Sequence, residues 1–322
     1  MRLAVLGAGG WGTALAWVWA GAGHQLTLWT RRPELAVQLR RSRENAAYLP
    51  GVLLPAGLLV TPSLPEALRG AELVVLATPS SAAAELMAQL PASSPLLLAS
   101  KGLGPGGELL SQLAAGYGLA CLALSGPNHA AEVAAGLPAA SVLAGPDALT
   151  SQLQVPLSTP HFRIYRSSDL VGVQLAGAVK NVLAIAAGLA DGLLLGENAK
   201  AALLTRGLLE LRTFVLARGG RAATVYGLAG LGDLIGTSHS SHSRNRALGV
   251  ALAQGHPPDL GRQVAEGARS AGQIASWAGQ AGIDLPIVSA VGAVLRAELG
   301  PREALESLMR RPLRPEEPPW HR

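Results

Sequence analysis

Among the 26 lysines and arginines of this chain, lysine stands at only three positions, 101, 180 and 200. Arginine is effectively never deprotonated, whereas a lysine amine can exchange a proton. Lysine kept in an arginine-rich chain therefore points to places where an amine is needed chemically. Lys180 is the sharpest case. It lies within the apolar helical stretch 171–188, where an unpaired ammonium is costly and shifts its pKa, finds partners, or both. Proton transfer is the chemistry this setting favours; the alternative is a lysine that snorkels to the surface. Lys101, in Ser100-Lys101-Gly102, directly follows a strand-like run, where a substrate would lie. Lys200, in Glu197-Asn198-Ala199-Lys200, has a more polar setting and reads as solvated.

A second set of residues is suited to phosphates. Gly7-Ala8-Gly9-Gly10-Trp11-Gly12 satisfies G-x-G-x-x-G between a strand-like run and a helix-like one. In that pattern Gly7 makes the tight turn, Gly9 lets backbone approach a pyrophosphate, and Gly12 packs the helix on the sheet, with the helix N-terminus facing the phosphates. This predicts a dinucleotide site; the alternative is a glycine-rich turn. The next strand ends Leu28-Trp29-Thr30-Arg31-Arg32. A carboxylate there would bond the ribose 2′-hydroxyl of NAD, whereas guanidinium groups grip a 2′-phosphate. NADP is thus the preferred cofactor and NAD the second.

The elements that must position these groups follow from the apolar pattern. Short apolar runs at 3–6, 26–29, 73–77, 96–99 and 119–124 read as buried strands, and 11–22 as a helix closed by Gly23. Runs alternating with helical stretches predict an α/β fold with a doubly wound parallel sheet, whose ligands bind beyond the carboxyl ends of the strands. From Ser167-Ser168-Asp169, a helix N-cap signal, the pattern turns helical as far as about residue 310. The predicted organisation is a dinucleotide-binding domain over 1–168, a helical substrate domain over 169–311 and a Pro-rich tail over 312–322, with no internal repeat. A formal charge of +5 without a dense basic stretch beyond Arg40, Arg41 and Arg43 suits anionic small molecules rather than nucleic acid. The one cysteine, Cys121, builds neither a disulfide framework nor a cysteine zinc site. The apolar stretch 170–196 carries Gln174, Lys180, Asn181 and Asp191, a set that argues against membrane insertion, so a cytoplasmic protein is expected.

With these residues in view, the chain resembles the bacterial-type NAD(P)-dependent glycerol-3-phosphate dehydrogenase family, from Gly7 to about Met309. The resemblance rests on Gly-Ala-Gly-Gly-Trp-Gly-Thr-Ala-Leu-Ala from Gly7, Asn45-Ala-Ala-Tyr-Leu-Pro-Gly51, Ser100-Lys-Gly, and the run from Ser125-Gly-Pro-Asn-His to Pro138. It continues through Ala178-Val-Lys-Asn-Val182, Gly227-Leu-Ala-Gly-Leu-Gly-Asp-Leu234, Ser243-Arg-Asn-Arg246 and Val264-Ala-Glu-Gly267. It implies a Rossmann-type N-terminal domain, an all-α C-terminal domain and an active site between them. Lys180 would be the proton-transfer residue. Lys101, Gly126, Asn128, Asp233, Ser243, Arg244 and Asn245 would contact substrate beside it. Gly10, Trp11, Arg31, Arg32, Tyr48, Lys101, Ala130, Arg244, Val264 and Glu266 would contact the cofactor, with Gly7, Gly9 and Gly12 of the fingerprint. The implied reaction links dihydroxyacetone phosphate to sn-glycerol 3-phosphate for glycerophospholipid synthesis. A homodimer is the assembly left open.

The chain departs from the family at Gly10, where Ser is common, and at His129, which replaces a usual aromatic. Residues 237–243 lack a usual cysteine and carry His239 and His242, which read as solvated, so no metal is expected. The spacing from Arg244 to Glu266 is also shorter than the family's. Three other readings remain open. A β-hydroxyacid or ketopantoate reductase shares the two halves and the lysine, but the Ser-Arg-Asn-Arg and Gly-Leu-Gly-Asp motifs favour glycerol 3-phosphate. A UDP-sugar dehydrogenase needs a catalytic cysteine, and Cys121 lies in a predicted buried strand. A non-catalytic NADP-binding sensor leaves Lys101 and Lys180 without a purpose.

Overall fold

The structure, a computed structural model, describes residues 1–256, 265–313 and 315–316. Its strands are, in chain order, β1 (Arg2–Leu6), β2 (Gln25–Trp29), β3 (Glu44–Asn45), β4 (Leu49–Leu53), β5 (Leu59–Thr61), β6 (Leu73–Leu76), β7 (Leu96–Leu98), β8 (Cys121–Ser125), β9 (Ala139–Ala144) and β10 (Phe162–Ser167). Eight of them form one sheet in the order β10-β9-β8-β7-β6-β1-β2-β5, while β3 and β4 pair apart as an antiparallel ribbon. The central strands are apolar on both faces because both faces are covered. Along β1, Leu3 and Val5 pack into one core with Trp19 and Leu28, and Ala4 and Leu6 into another with Val74 and Leu96. β1 pairs in parallel with β2 on one side and β6 on the other. The sheet therefore grows in opposite directions from β1, and its ligand crevice opens at the carboxyl ends of β1 and β6.

The doubly wound parallel sheet expected from the sequence is present, with three differences. β8 and β9 run antiparallel. β5, β9, β10 and the β3–β4 ribbon are strands that the apolar runs did not mark. β8 begins at Cys121 rather than at 119, because the Leu119 N–H is taken by the Ala114 carbonyl, closing the preceding helix.

The second half is built around the helix Leu170–Gly192, buried along nearly its whole length. Asp169 caps it: one carboxylate oxygen accepts the Gly172 N–H at 2.8 Å and the other the Arg221 N–H at 2.9 Å. By length and composition this helix could cross a membrane, but 89% of its apolar window is buried inside the protein. The helices Glu197–Ala217, Arg244–Ala253, Glu266–Gln280 and Pro286–Leu295 surround it. Arg244–Ala253 approaches backbone to backbone. A Cβ on Gly188 would stand 2.0 Å from the Arg246 carbonyl, and one on Gly249 would stand 2.1 Å from that of Ile185. This close crossing holds Ser243, Arg244 and Asn245 over the middle of the long helix, where Lys180 sits.

Candidate active site

The glycine loop follows β1 and opens the helix Gly10–Gly21, whose N-cap Gly9 has no side chain to cap it. Its first N–H groups are left for a ligand, as an anion site requires. Gly7 has φ +117°, and a Cβ there would stand 2.7 Å from the Ala77 carbonyl at the end of β6. A Cβ on Gly12 would stand 1.9 Å from the Gly7 carbonyl, whereas one on Gly9 would meet open space. These are the three separate demands of the dinucleotide fingerprint. A Cβ on Gly10 would stand 2.8 Å from the Tyr48 carbonyl, so glycine rather than serine suits this chain's close 45–51 loop. That loop is anchored by Asn45, whose buried amide donates to the Ala8 carbonyl at 3.0 Å and to the Thr13 hydroxyl at 2.8 Å. Arg31 and Arg32 are exposed beyond β2, and the Arg32 guanidinium lies 5.5 Å from the Tyr48 ring centre. Ala130 sits beside Gly10, and Trp11 packs edge-on against Phe162. The Trp11 indole N–H and the Thr78 hydroxyl are buried without a hydrogen-bond partner among the described residues. Open space at Gly9, an uncapped helix end and orphaned polar atoms all fit a dinucleotide.

Both conspicuous lysines reach one carboxylate. Asp233 follows a π-type turn, Leu228–Gly232, and opens the helix Asp233–His239. Lys101 donates to Asp233 Oδ2 at 2.7 Å, to the Gly126 carbonyl at 3.0 Å and to Asn128 Oδ1 at 2.9 Å. Lys180 lies 3.0 Å from Asp233 Oδ1 and donates to the Thr237 hydroxyl at 2.7 Å. Asn128 is oriented by its own donation to Ser141 at 2.8 Å. Burial pushes the Lys180 amine down and outweighs Asp233, which raises it; Lys101 and Arg244 lower it further, to about 8. Burial pushes the Asp233 carboxyl up, but the two lysines prevail and hold it below the usual carboxylate range. The result is a fixed anion between two amines, one of which titrates near neutrality.

The Ser243-Arg-Asn-Arg segment lies beside this cluster. Ser243 caps the helix Arg244–Ala253, accepting the Arg246 N–H at 3.2 Å. Arg244 is exposed, and close enough to Lys180 to depress it. Asn245 is buried and committed at both ends of its amide: Nδ2 donates to Asn181 at 3.0 Å and Oδ1 accepts the Gly267 N–H at 3.0 Å. Glu266 is bonded to Ser80 after β6. Val264 lies outside the described residues.

Several neighbours were not read from the sequence. Thr237 bonds Lys180, and its i+4 spacing from Asp233 on one helix was the available signal. Ser141 and Ser80 carried no signal. Lys200, expected to be solvated, is buried: Asp191 pairs with it at 2.9 Å and with Arg246 at 2.6 Å, joining three helices. His129 contacts the Gly236 carbonyl at 3.2 Å, while His239 and His242 are exposed.

A phosphate-cradling loop at the switch point of a doubly wound sheet, facing a buried lysine on a helical half, defines the class: an NAD(P)-dependent dehydrogenase. The model described as the NAD-dependent glycerol-3-phosphate dehydrogenase N-terminus matches residues 2–150, and that of the C-terminus residues 169–306. A glycerol-3-phosphate dehydrogenase [NAD(P)+] of Deinococcus radiodurans is 53% identical over 96% of this chain and 95% of its own length. One from Thermus thermophilus is 51% identical over 97% and 98%. The crystal structure of a glycerol-3-phosphate dehydrogenase from Coxiella burnetii superposes with a TM-score of 0.93 at 37% identity, over 96% of this chain and 99% of that one. The chain belongs to the NAD-dependent glycerol-3-phosphate dehydrogenase family. A ketopantoate reductase from Ralstonia eutropha, with a TM-score of 0.61 and 18% identity, shares the fold alone.

Proposed function

We propose that the chain interconverts dihydroxyacetone phosphate and sn-glycerol 3-phosphate, with NADP preferred over NAD, in the cytoplasm and without stable membrane insertion. The product would serve glycerophospholipid synthesis. The observation that carries the reading is the buried Lys101–Asp233–Lys180 cluster beside Arg244.

The nicotinamide, when bound, supplies or accepts the hydride at substrate C2. Lys180 as the ammonium donates its proton to the C2 oxygen as negative charge builds there, and as the neutral amine it takes that proton back in oxidation. A pKa of about 8 makes both forms accessible near neutrality. Asp233 holds Lys180 and Lys101 in place and balances their charge, while Gly126 and Asn128 aim Lys101 at the substrate. Arg244, with the N–H groups opening its helix, grips the phosphate by charge-assisted bonds, and Ser243 fixes that helix end. The Asn245 side chain braces the same end through Asn181 and Gly267. Gly9 and Gly10 at the open helix end would cradle the pyrophosphate, with Gly7 setting the turn and Gly12 the helix packing that place them. Trp11 and Ala130 would lie beside it, and Arg31 and Arg32, with Tyr48 against Arg32, would take the 2′-phosphate.

The test is oxidation of NADPH by the purified protein on adding dihydroxyacetone phosphate, beside NADH and beside ketopantoate. The expected result is turnover with dihydroxyacetone phosphate, faster at low cofactor concentration with NADPH. Turnover with ketopantoate instead, or none with either ketone, overturns the reading.

A further inference from the structure

Glu266 opens a helix of the C-terminal half, yet its carboxylate lies against the end of β6 in the other half. Oε1 accepts the Ser80 N–H at 3.0 Å, and Oε2 accepts the Ser80 hydroxyl at 2.7 Å. Both oxygens are thus held by one residue, itself 1% exposed. The Lys101 loop lies directly on this pair: a Cβ on Gly102 would stand 2.8 Å from Glu266 Oε2 and 2.8 Å from Ser80 Oγ. Two turns further along the same helix, Gln273 donates to the Gly104 carbonyl at 2.6 Å and to that of Pro105 at 3.2 Å. In the other direction, Gly267 bonds Asn245, and Asn245 bonds Asn181, the residue after Lys180. One hydrogen-bonded path therefore runs from the crevice end of β6 to the Lys101 loop, the Arg244 helix and the Lys180 helix.

We propose that Ser80 is a positioning residue whose paired bonds to Glu266 latch the helical half onto the cofactor half, setting where the hydride donor stands relative to Lys180. The inference rests on the reaction proposed above. Hydrogen bonds to a carboxylate are among the stronger ones, and transfer between oriented groups loses rate steeply with small displacements.

The experiment measures steady-state kinetics with NADPH and dihydroxyacetone phosphate, and NADPH affinity by fluorescence, for Ser80→Ala, Glu266→Ala, the double variant and Glu266→Gln. Ser80→Ala should lower kcat about tenfold while the NADPH Kd stays within about twofold. Glu266→Ala removes the bond from the Ser80 N–H as well as that from the hydroxyl and should lower kcat at least as far. The double variant should be no worse than Glu266→Ala, as one shared interaction requires. Glu266→Gln keeps an acceptor for the N–H and a donor for the hydroxyl, and should restore most of the rate. Wild-type kcat in Ser80→Ala overturns the latch, as do penalties that add in the double variant. An inactive wild type refutes the reaction instead; the latch is then decided by thermal unfolding, where the shifts in Tm must still be non-additive and additive shifts overturn it.

Discussion

At the scale of single residues, the site turns on one lysine placed where water cannot stabilise its charge. Lys180 is buried, paired with Asp233 and depressed to about 8. Oxidation needs the neutral amine and reduction the ammonium. For oxidation, kcat/KM should therefore rise through about pH 8 and level off above it, and for reduction it should fall over the same range. Asp233 raises the Lys180 pKa, so Asp233→Asn should move the oxidative limb to lower pH while lowering kcat. A limb left in place would show that another group titrates. Arg244→Ala should raise KM for the phosphorylated ketone by one to two decades, roughly the worth of a charged hydrogen bond, and steady-state kinetics would read it. Lys180 was legible because an amine in an apolar helix has few structural uses. The burial of Lys200 was not legible, because its polar neighbours in sequence suggest solvent, while its partner Asp191, shared with Arg246, comes from another helix.

At the scale of elements, two contacts decide whether the helical half presents its residues correctly. Gly249 faces the Ile185 carbonyl so closely that Gly249→Ala must push two helices apart. It should cost at least about 2 kcal/mol in urea unfolding and raise the substrate KM, since the same helix carries Arg244. Glu210 caps another helix from inside the core, accepting the Ile287 N–H at 2.7 Å and the Val288 N–H at 3.0 Å. Burial raises its carboxyl from 4.5 to about 7 despite those bonds. A carboxyl raised in the folded state favours folding while protonated. Its contribution is whole below about pH 4.5 and is lost as pH rises through about 7. Wild-type Tm should therefore fall between pH 5.5 and 8 by an amount that Glu210→Gln removes; an equal fall in the variant would assign the loss elsewhere. The central strands were legible from unbroken apolar runs. β10 was not, since an edge strand of sequence Phe-Arg-Ile-Tyr-Arg-Ser buries only alternate residues, and β5 has only three residues in which to show a pattern.

At the scale of the whole molecule, function depends on bringing a phosphate-binding strand end and a buried amine to the same crevice. The strand end could be read locally, because strand, glycine turn and helix are contiguous. The crevice could not, since it is closed by pairs far apart in sequence: Lys101 with Asp233, and Ser80 with Glu266 across 186 residues. Lys101 was marked by its place after a strand-like run and Asp233 by resemblance, but Ser80 belongs to no motif and emerges only once the halves are docked. The central claim is that the cofactor half binds and the helical half supplies the proton. Its most direct test is Lys180→Ala, followed for both NADPH binding and reduction of dihydroxyacetone phosphate. The account predicts NADPH affinity unchanged and kcat lower by roughly two to four decades. A rate near that of the wild type would contradict it.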